Sequence, residues 1–110
     1  MATTRKVLGQ IAPAAATLSD LYTVPASASA VASTIVATNR GMTATKIRVA
    51  VRVGGAAVSD KDYLIYDLTV PGCNGHAMTI GMTLATTDVV SVYSLSGNVS
   101  FNLFGAETTP

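Results

Sequence analysis

The stretch Thr45-Lys46-Ile47-Arg48-Val49-Ala50-Val51-Arg52-Val53 decides the fold of this chain, because apolar and basic side chains alternate along it. A β-strand turns successive side chains to opposite faces, so a strict alternation predicts a strand with one dry face. We therefore predict a central strand of an antiparallel sheet. The side chains of Ile47, Val49, Val51 and Val53 are predicted to face the core, and those of Lys46, Arg48 and Arg52 to face outward.

Similar short segments lie on both sides of this strand and are separated by turn residues. Seven or eight strands with turn signals about every 8–12 residues, and no long helix, are typical of a β-sandwich or jelly roll. We predict an all-β, antiparallel, jelly-roll-like β-sandwich. The segments are Val7–Ile11, Leu21–Val24, Val31–Thr38, Thr43–Val53, Tyr63–Val70, His76–Leu84, Asp88–Ser94 and Asn98–Phe104.

The pattern also predicts how individual strands face and pair. Neither face of Val31–Thr38 is charged, so both faces are expected to be covered. The turn residues Asn39-Arg40-Gly41 predict a hairpin between this strand and the next one. In Tyr63–Val70 and in His76–Leu84 the even-numbered residues are predicted to share one face. On the latter strand that face includes Met78 and Met82, which are expected to fill the core.

A chain of 110 residues allows one domain. We predict an N-terminal arm and loop over residues 1–19, a sandwich over residues 20–105 and a C-terminal tail over residues 106–110. Residues 1–6 are expected to be mobile or held only by a partner. The start imitates a signal peptide, but Gln10 and Pro13 interrupt its apolar region, so no secretion is expected. No apolar run approaches the length of a membrane helix, so no membrane partner is expected.

The charge balance is unusual for a free-standing domain. Charged residues make up 12% of the chain, against about 25% in average soluble domains. The net charge of +1 argues against a nucleic-acid partner, which requires a concentrated basic excess. Either the protein is a small domain with a Thr/Ser surface, or other subunits cover much of its surface. We favour the second interpretation because a near-zero net charge promotes association.

The sequence Cys73-Asn74-Gly75-His76 is the place where cysteine and histidine meet. A structural zinc site needs four ligands, and a cysteine nucleophile needs a base, an orienting group and an oxyanion site. The chain has one cysteine and one histidine. We therefore expect no metal, no cofactor and no catalytic residue, and we do not expect an enzyme.

Asp60, Asp62 and Asp67 form the main acidic cluster. Paired carboxylates can perform acid–base chemistry or bind a hard cation. Lys61 separates the first two, and Asp67 lies on a strand, so solvated loop charges fit the pattern better. Asp67 is expected to face Arg48 or Arg52 across the sheet.

Two groups of residues are candidates for a partner interface. The basic face of Lys46, Arg48 and Arg52 lacks the interleaved aromatic residues of nucleic-acid sites. It is either a solvated strand face or a contact for an acidic neighbouring protein. The arm supplies the second group, Val7, Leu8 and Ile11, which are apolar enough to pack on a neighbour.

Several segments, which together span roughly Leu8 to Gly105, resemble a family of small structural proteins of tailed bacteriophages. They are Leu21–Pro25, Val31–Arg40, Arg48–Gly55, Tyr63–Val70, Asp88–Tyr93 and Asn98–Gly105. The resemblance implies a virion component with a β-sandwich build and no catalytic residue.

The resemblance leads us to expect a capsid decoration (cement) protein. Such a protein binds the outer shell and stabilises contacts between major capsid subunits. Its expected partners are copies of itself, in a homotrimer, and the major capsid protein. Its expected location is the capsid surface, after synthesis in the host cytoplasm.

Two alternatives remain open at the level of sequence. The first is a tail, baseplate or fibre component of the virion. The second is a carbohydrate-binding module for host attachment, which would need exposed aromatic residues. Most of the six aromatic residues occupy core-like positions in the sequence: Tyr22, Tyr63, Tyr66, Tyr93, Phe101 and Phe104.

Overall fold

Eight β-strands form two four-stranded antiparallel sheets in a computed structural model of the chain, which describes residues 2–110. The strands are β1 (Ala2–Ile11), β2 (Ser19–Thr23), β3 (Ser29–Asn39), β4 (Thr45–Arg52), β5 (Tyr63–Val70), β6 (Asn74–Leu84), β7 (Val89–Ser94) and β8 (Val99–Thr109). Short 3-10 turns cover Val53–Gly55 and Asp60–Asp62. Strands account for 64% of the chain, so the all-β prediction is confirmed.

The strand order is β1-β8-β3-β6 in the first sheet and β2-β7-β4-β5 in the second. Strands β4 and β5 form a hairpin, and β3 pairs with β6, β2 with β7 and β1 with β8. The chain is thus one long antiparallel hairpin that is rolled into two packed sheets. This arrangement is the eight-stranded jelly roll, as the pattern of short strands predicted.

The core lies between the two sheets and is built from side chains that alternate inward. Its largest fully buried members are Phe101, Ile47, Leu84, Leu103, Val24, Val49, Val70, Val90, Val92 and Val99. The predicted inward face of β4 is confirmed for Ile47 and Val49, and Val51 packs against the core. The prediction is wrong for Val53, which is 71% exposed. Strand β4 ends at Arg52 because Gly54, at φ 65°, turns the chain.

The predicted hairpin between β3 and β4 is wrong, since the two strands lie in different sheets. Residues 40–44 cross from one sheet to the other. The buried side chain of Asn39 organises this crossover, because its amide donates to the carbonyl oxygens of Thr43, Val70 and Pro71. The asparagine is a buried hydrogen-bonding residue at the end of a strand rather than part of a hairpin turn.

Irregular pairing changes the predicted faces of two strands. The register of β3 shifts between Ala32 and Thr34 against both of its neighbours, so Ala32 and Ile35 both point inward. The outer face of β3 is only partly covered, since Val31 is exposed. In β5 the register shifts around Asp67, whose φ of 54° breaks the alternation.

The shift in β5 separates residues that were predicted to share a face. Ile65 and Leu68 pack against the core, whereas Tyr66 is exposed. The faces predicted for β6 are confirmed, because the even-numbered residues from His76 to Leu84 are more buried than the odd ones. Met82 lies in the core and Met78 packs against it, as expected.

The arm predicted over residues 1–19 and the tail predicted over residues 106–110 are largely strand. Strand β1 pairs with β8 from Ala2, opposite Thr109, to Ile11, opposite Phe101. Backbone hydrogen bonds hold the outer half of β1, and its side chains are exposed on both faces. The sequence therefore has no apolar alternation there to reveal the strand. Met1 lies outside the described residues.

Candidate functional site

The apolar residues predicted as a partner contact are divided between the interior and the surface. Leu8 is buried in the chain's own core, and Ile11 packs against that core. Only Val7 presents an exposed side chain. Val7 and Leu8 point to opposite faces by the alternation of the strand, and the pairing bulge between Val7 and Gly9 lets Leu8 and Ile11 both face inward although they are an odd number of positions apart.

Val7 belongs to an exposed apolar patch on the outer face of the first sheet. Val7 lies directly opposite Phe104, and Val31, on the next strand, is also exposed. We call Val7, Val31 and Phe104 the first-sheet patch. A groove of about 390 Å³ lies along it, and Arg5 and Lys6 are among the residues that line the groove. Exposed apolar clusters of this kind mark contact surfaces more often than scattered single residues do.

The basic face of β4 is largely neutralised within the chain. The guanidinium of Arg48 donates from Nε to Oδ1 of Asp67 at 2.7 Å and from Nη2 to Oδ2 at 3.3 Å. Arg52 pairs with Asp20 at 2.8 Å and also donates to Ser91. The expected contact of Asp67 with Arg48 is confirmed, and Lys46 remains exposed beside it.

The pair of Arg48 and Asp67 lies at the surface, where it shifts the titration of both groups. The hydrogen bonds from Arg48 hold the pKa of Asp67 below its ordinary value, against a smaller opposing effect of desolvation. The same contact raises the pKa of Arg48. The aspartate is therefore a charged partner of the arginine and not a free general base.

Three tyrosines accompany Arg48 across the outer face of the second sheet. The guanidinium carbon lies 4.2 Å from the ring centroid of Tyr66 and 4.4 Å from that of Tyr93. The rings of Tyr63 and Tyr66 meet edge to face, with centroids 4.9 Å apart. We call Tyr93, Arg48, Tyr66 and Tyr63 the aromatic row. Both guanidinium contacts lie within the range of cation–π interactions.

A groove of about 360 Å³ opens at the β5 end of the aromatic row, lined by Asp60, Tyr63 and Tyr66. Asp60 begins the short turn before β5, which Ser59 and Asp62 stabilise by a capping box. The sequence pattern gave no sign of this cluster, because most of the tyrosines occupy positions predicted to lie in the core. The alternation of β5 concealed it, since only the register shift at Asp67 brings Tyr66 beside Arg48.

Strand β6 forms one edge of the first sheet, and we call it the β6 edge. The strand contains neither a charged residue nor a proline over eleven residues. Its outward residues are small, since they are Gly75, Ala77, Thr79, Gly81 and Thr83. Beside it lies a groove of about 360 Å³ between the two sheets, where Leu64 and Ile80 are among the lining residues.

Glu107 on β8 connects the two sheets through polar contacts. The hydroxyl of Tyr22 on β2 donates to its carboxylate, and Lys6 on β1 lies 3.4 Å away. The hydrogen bond from Tyr22, followed by that from Lys6, lowers the pKa of Glu107 against the opposing effect of burial. Burial is the main cause of the raised pKa of Tyr22, and the bond to Glu107 adds to it. This cluster is a structural link between the sheets.

Cys73 and His76 occupy the turn before β6 and the start of that strand. Cys73 is exposed, at φ 53°, and His76 is half-buried. Within residues 2–110 no group of three or more His, Cys, Asp or Glu side chains is placed to hold a metal ion. Over the same residues, no helix has the length and apolar character needed to cross a membrane.

Comparison of the chain with family models, with curated proteins and with solved structures found no match.

Proposed function

We propose that this protein is a virion structural protein, and specifically a decoration (cement) protein. In this role it binds the outer face of an assembled capsid and stabilises contacts between major capsid subunits. The proposal rests on the resemblance of the sequence to small structural proteins of tailed bacteriophages, on its low content of charged residues and on the β6 edge. The jelly roll is compatible with it, since viral capsid proteins are among the proteins that use this fold.

The observation that carries the proposal is the unprotected β6 edge. Edge strands present unpaired N–H and C=O groups, and soluble proteins usually block them with charges, prolines, bulges or short length. The other three edges have such features. Strand β1 carries Arg5 and Lys6, β2 has only five residues, and β5 carries Asp67. The β6 edge has a register shift between Thr79 and Met82, but it is eleven residues long and has no charge and no proline.

An open edge of this kind suits assembly with another copy of the chain. Pairing would satisfy the backbone groups of β6 and would cover the apolar groove that Leu64 and Ile80 help to line. The proposed assembly is a homotrimer, in which the β6 edge of each copy meets a different surface of the next copy, and not its charged β1 edge, because the interfaces of a closed trimer are heterologous. An oligomer contacts several capsid subunits at once, and avidity then raises binding well above the affinity of one contact. The first-sheet patch is the proposed contact with the shell.

The test introduces charge on the β6 edge without disturbing the core. Thr79 and Thr83 are exposed on its outward face, so we expect Thr79→Lys/Thr83→Lys to fold normally. The wild-type protein is expected to have an oligomeric mass by light scattering and to bind emptied, undecorated capsids. The double variant is expected to be a monomer and to bind the capsids much more weakly.

The matched control places the same charges on the opposite edge. Ala2 and Thr4 are exposed on β1, so Ala2→Lys/Thr4→Lys tests charge alone. This control is expected to keep the wild-type mass. If the wild-type protein is a monomer and does not bind capsids, the decoration proposal fails. Binding to isolated tails instead of capsids would favour a tail, baseplate or fibre component.

A further inference from the structure

We propose that the aromatic row and the groove beside it form a binding site for an uncharged saccharide. The site lies on the outer face of the second sheet, away from the first-sheet patch. It does not depend on the proposed capsid role, and a decoration protein, a tail component or a free protein can carry it equally well.

The aromatic row presents a fixed and exposed aromatic surface. Tyr66 is 59% exposed although Arg48 and Tyr63 both contact its ring. Exposed tyrosines provide a large, amphipathic contact area at low conformational cost. The edge-to-face contact with Tyr63 and the stacked guanidinium hold the ring in place before any ligand arrives. A ligand with a flat apolar face therefore meets a prepared surface.

Polar groups without side-chain partners surround these rings. Within residues 2–110 the hydroxyls of Tyr63, Tyr66 and Tyr93 and the carboxylate of Asp60 make no side-chain hydrogen bond. Nη1 of Arg48 also has no partner, because Asp67 engages Nε and Nη2. The site thus combines apolar ring faces with a few free donors and acceptors, which is the usual composition of a small-molecule site.

The charges already paired at the site favour an uncharged ligand. A cation would be attracted to the ring faces of tyrosines, but Arg48 already occupies that position over Tyr66 and Tyr93. An anion would be attracted to Arg48, but two hydrogen bonds from the guanidinium are already made to Asp67. An uncharged ligand with hydroxyl groups and an apolar face fits both conditions, and a pyranose ring has this chemistry.

The size of the groove indicates how much of a saccharide it holds. Its volume of about 360 Å³ lies near the lower end of the roughly 300–1,000 Å³ range of ligand pockets. One or two sugar rings fit this space, with one ring stacked on Tyr66 and hydroxyls directed at Asp60.

The experiment follows the tyrosine ring signals of the full-length protein by NMR. The chain has four tyrosines, and Tyr22 is buried and bonded to Glu107, so its signal is an internal reference. The probes are glucose, galactose, mannose and N-acetylglucosamine, their β1,4-linked oligomers, and tetramethylammonium as the cationic probe. We expect at least one sugar to shift the signals of Tyr63 and Tyr66 in a saturable manner while Tyr22 stays unchanged.

Three variants separate the stacking contact from other effects. Tyr66→Ala is expected to weaken binding about tenfold or more, the size of a lost aromatic contact. Tyr66→Phe retains the ring and is expected to keep most of the affinity. Phe104→Ala removes an exposed aromatic residue from the first sheet and is expected to bind like the wild type. Thermal unfolding of each variant verifies that it is folded.

The oligomer series distinguishes a free sugar from a surface polysaccharide. Affinity that rises with chain length indicates a polysaccharide along the aromatic row, and equal affinity for the monosaccharide indicates a single subsite. Either result supports the proposal. It is overturned if no saccharide shifts Tyr63 and Tyr66 at saturating concentration, if tetramethylammonium alone does so, or if Tyr66→Ala binds as tightly as the wild type.

Discussion

Glu107 illustrates how a single residue links elements that are distant in the sequence. It lies on the last strand, accepts a hydrogen bond from Tyr22 on β2 and contacts the ammonium of Lys6 on β1. Its position in the segment predicted as a C-terminal tail gives no sign of this role. Asn39 is a similar case, since its buried amide joins the crossover residues to the end of β5.

The depressed pKa of Glu107 predicts a loss of stability in acid. The pKa of Glu107 is lower in the folded protein than in the unfolded chain. The stabilisation from its ionised carboxylate is therefore complete above the unfolded-state pKa and is lost as the pH falls through the folded-state pKa. We expect the melting temperature to fall below about pH 4.5. In Glu107→Gln this acid dependence should be reduced, as measured by thermal unfolding between neutral pH and about pH 3.

An exposed carboxylate provides the control for this prediction. Asp60 makes no side-chain hydrogen bond within residues 2–110 and is exposed. Asp60→Asn should therefore retain the acid dependence of the wild type. Asp67, whose pKa is also lowered by Arg48, contributes in the same direction as Glu107. Equal acid dependence in the wild type and Glu107→Gln would contradict the assigned role of Glu107.

At the scale of the strand, interruptions of regular pairing determine which surfaces exist. The shift in β5 turns Tyr66 and Asp67 to the face of Arg48, and so creates the aromatic row. The bulge in β1 lets Leu8 and Ile11 both face the core although they are an odd number of positions apart. A strictly alternating strand could place neither pair in this way.

Gly105 is required where three strands of the first sheet approach closely. A Cβ atom at this position would lie 2.2 Å from the carbonyl oxygen of Val31 and 2.8 Å from Cα of Ala32. Both neighbours are backbone, so they cannot move as a flexible side chain would. We expect Gly105→Ala to lower the free energy of unfolding by about 1–3 kcal/mol, as measured by denaturant titration.

Gly81 is the matched control for this substitution. It also lies in a strand of the first sheet, but a Cβ atom there would meet no atom within 4 Å. Gly81→Ala is expected to have unchanged or slightly higher stability, since alanine restricts the unfolded chain. If Gly105→Ala and Gly81→Ala have the same stability, the close approach of the strands at Gly105 does not destabilise the alanine variant.

At the scale of the whole molecule, the nested pairing of strands makes the two ends of the chain interdependent. Strand β1 is held by β8, and β8 lies between β1 and β3. The first ten residues after Met1 thus belong to the sheet itself. Removing them would expose the full length of β8 as a new edge and would take Leu8 out of the core.

Deletion of residues 1–8 distinguishes a strand from a partner-binding arm. We expect the truncated protein to lose at least about 3 kcal/mol of stability, because a buried leucine and most of the hydrogen-bond ladder between β1 and β8 are removed. The measurement is thermal or denaturant unfolding at equal concentration. Deletion of residues 1–4 retains Leu8 and should cost much less. A truncated protein with unchanged stability but altered oligomeric mass would instead indicate an arm.

The sequence by itself determined the class of fold and much of the core. The alternation from Ile47 to Val51 and that from His76 to Leu84 predicted the buried faces, because a side-chain period of two is a local property of the strand. Ionic pairing of Asp67 with Arg48 was also predictable from complementary charges on neighbouring strands. These features need only short-range rules.

Only the tertiary structure decided which strands pair and where alternation fails. The pairing of β1 with β8 depends on backbone groups that every residue carries, so the polar side chains of residues 2–6 gave no signal. The separation of β3 and β4 depends on Asn39 finding buried carbonyl partners about thirty residues away. The aromatic row depends on a register shift, which is set by the pairing of whole sheets and not by the residues of one strand.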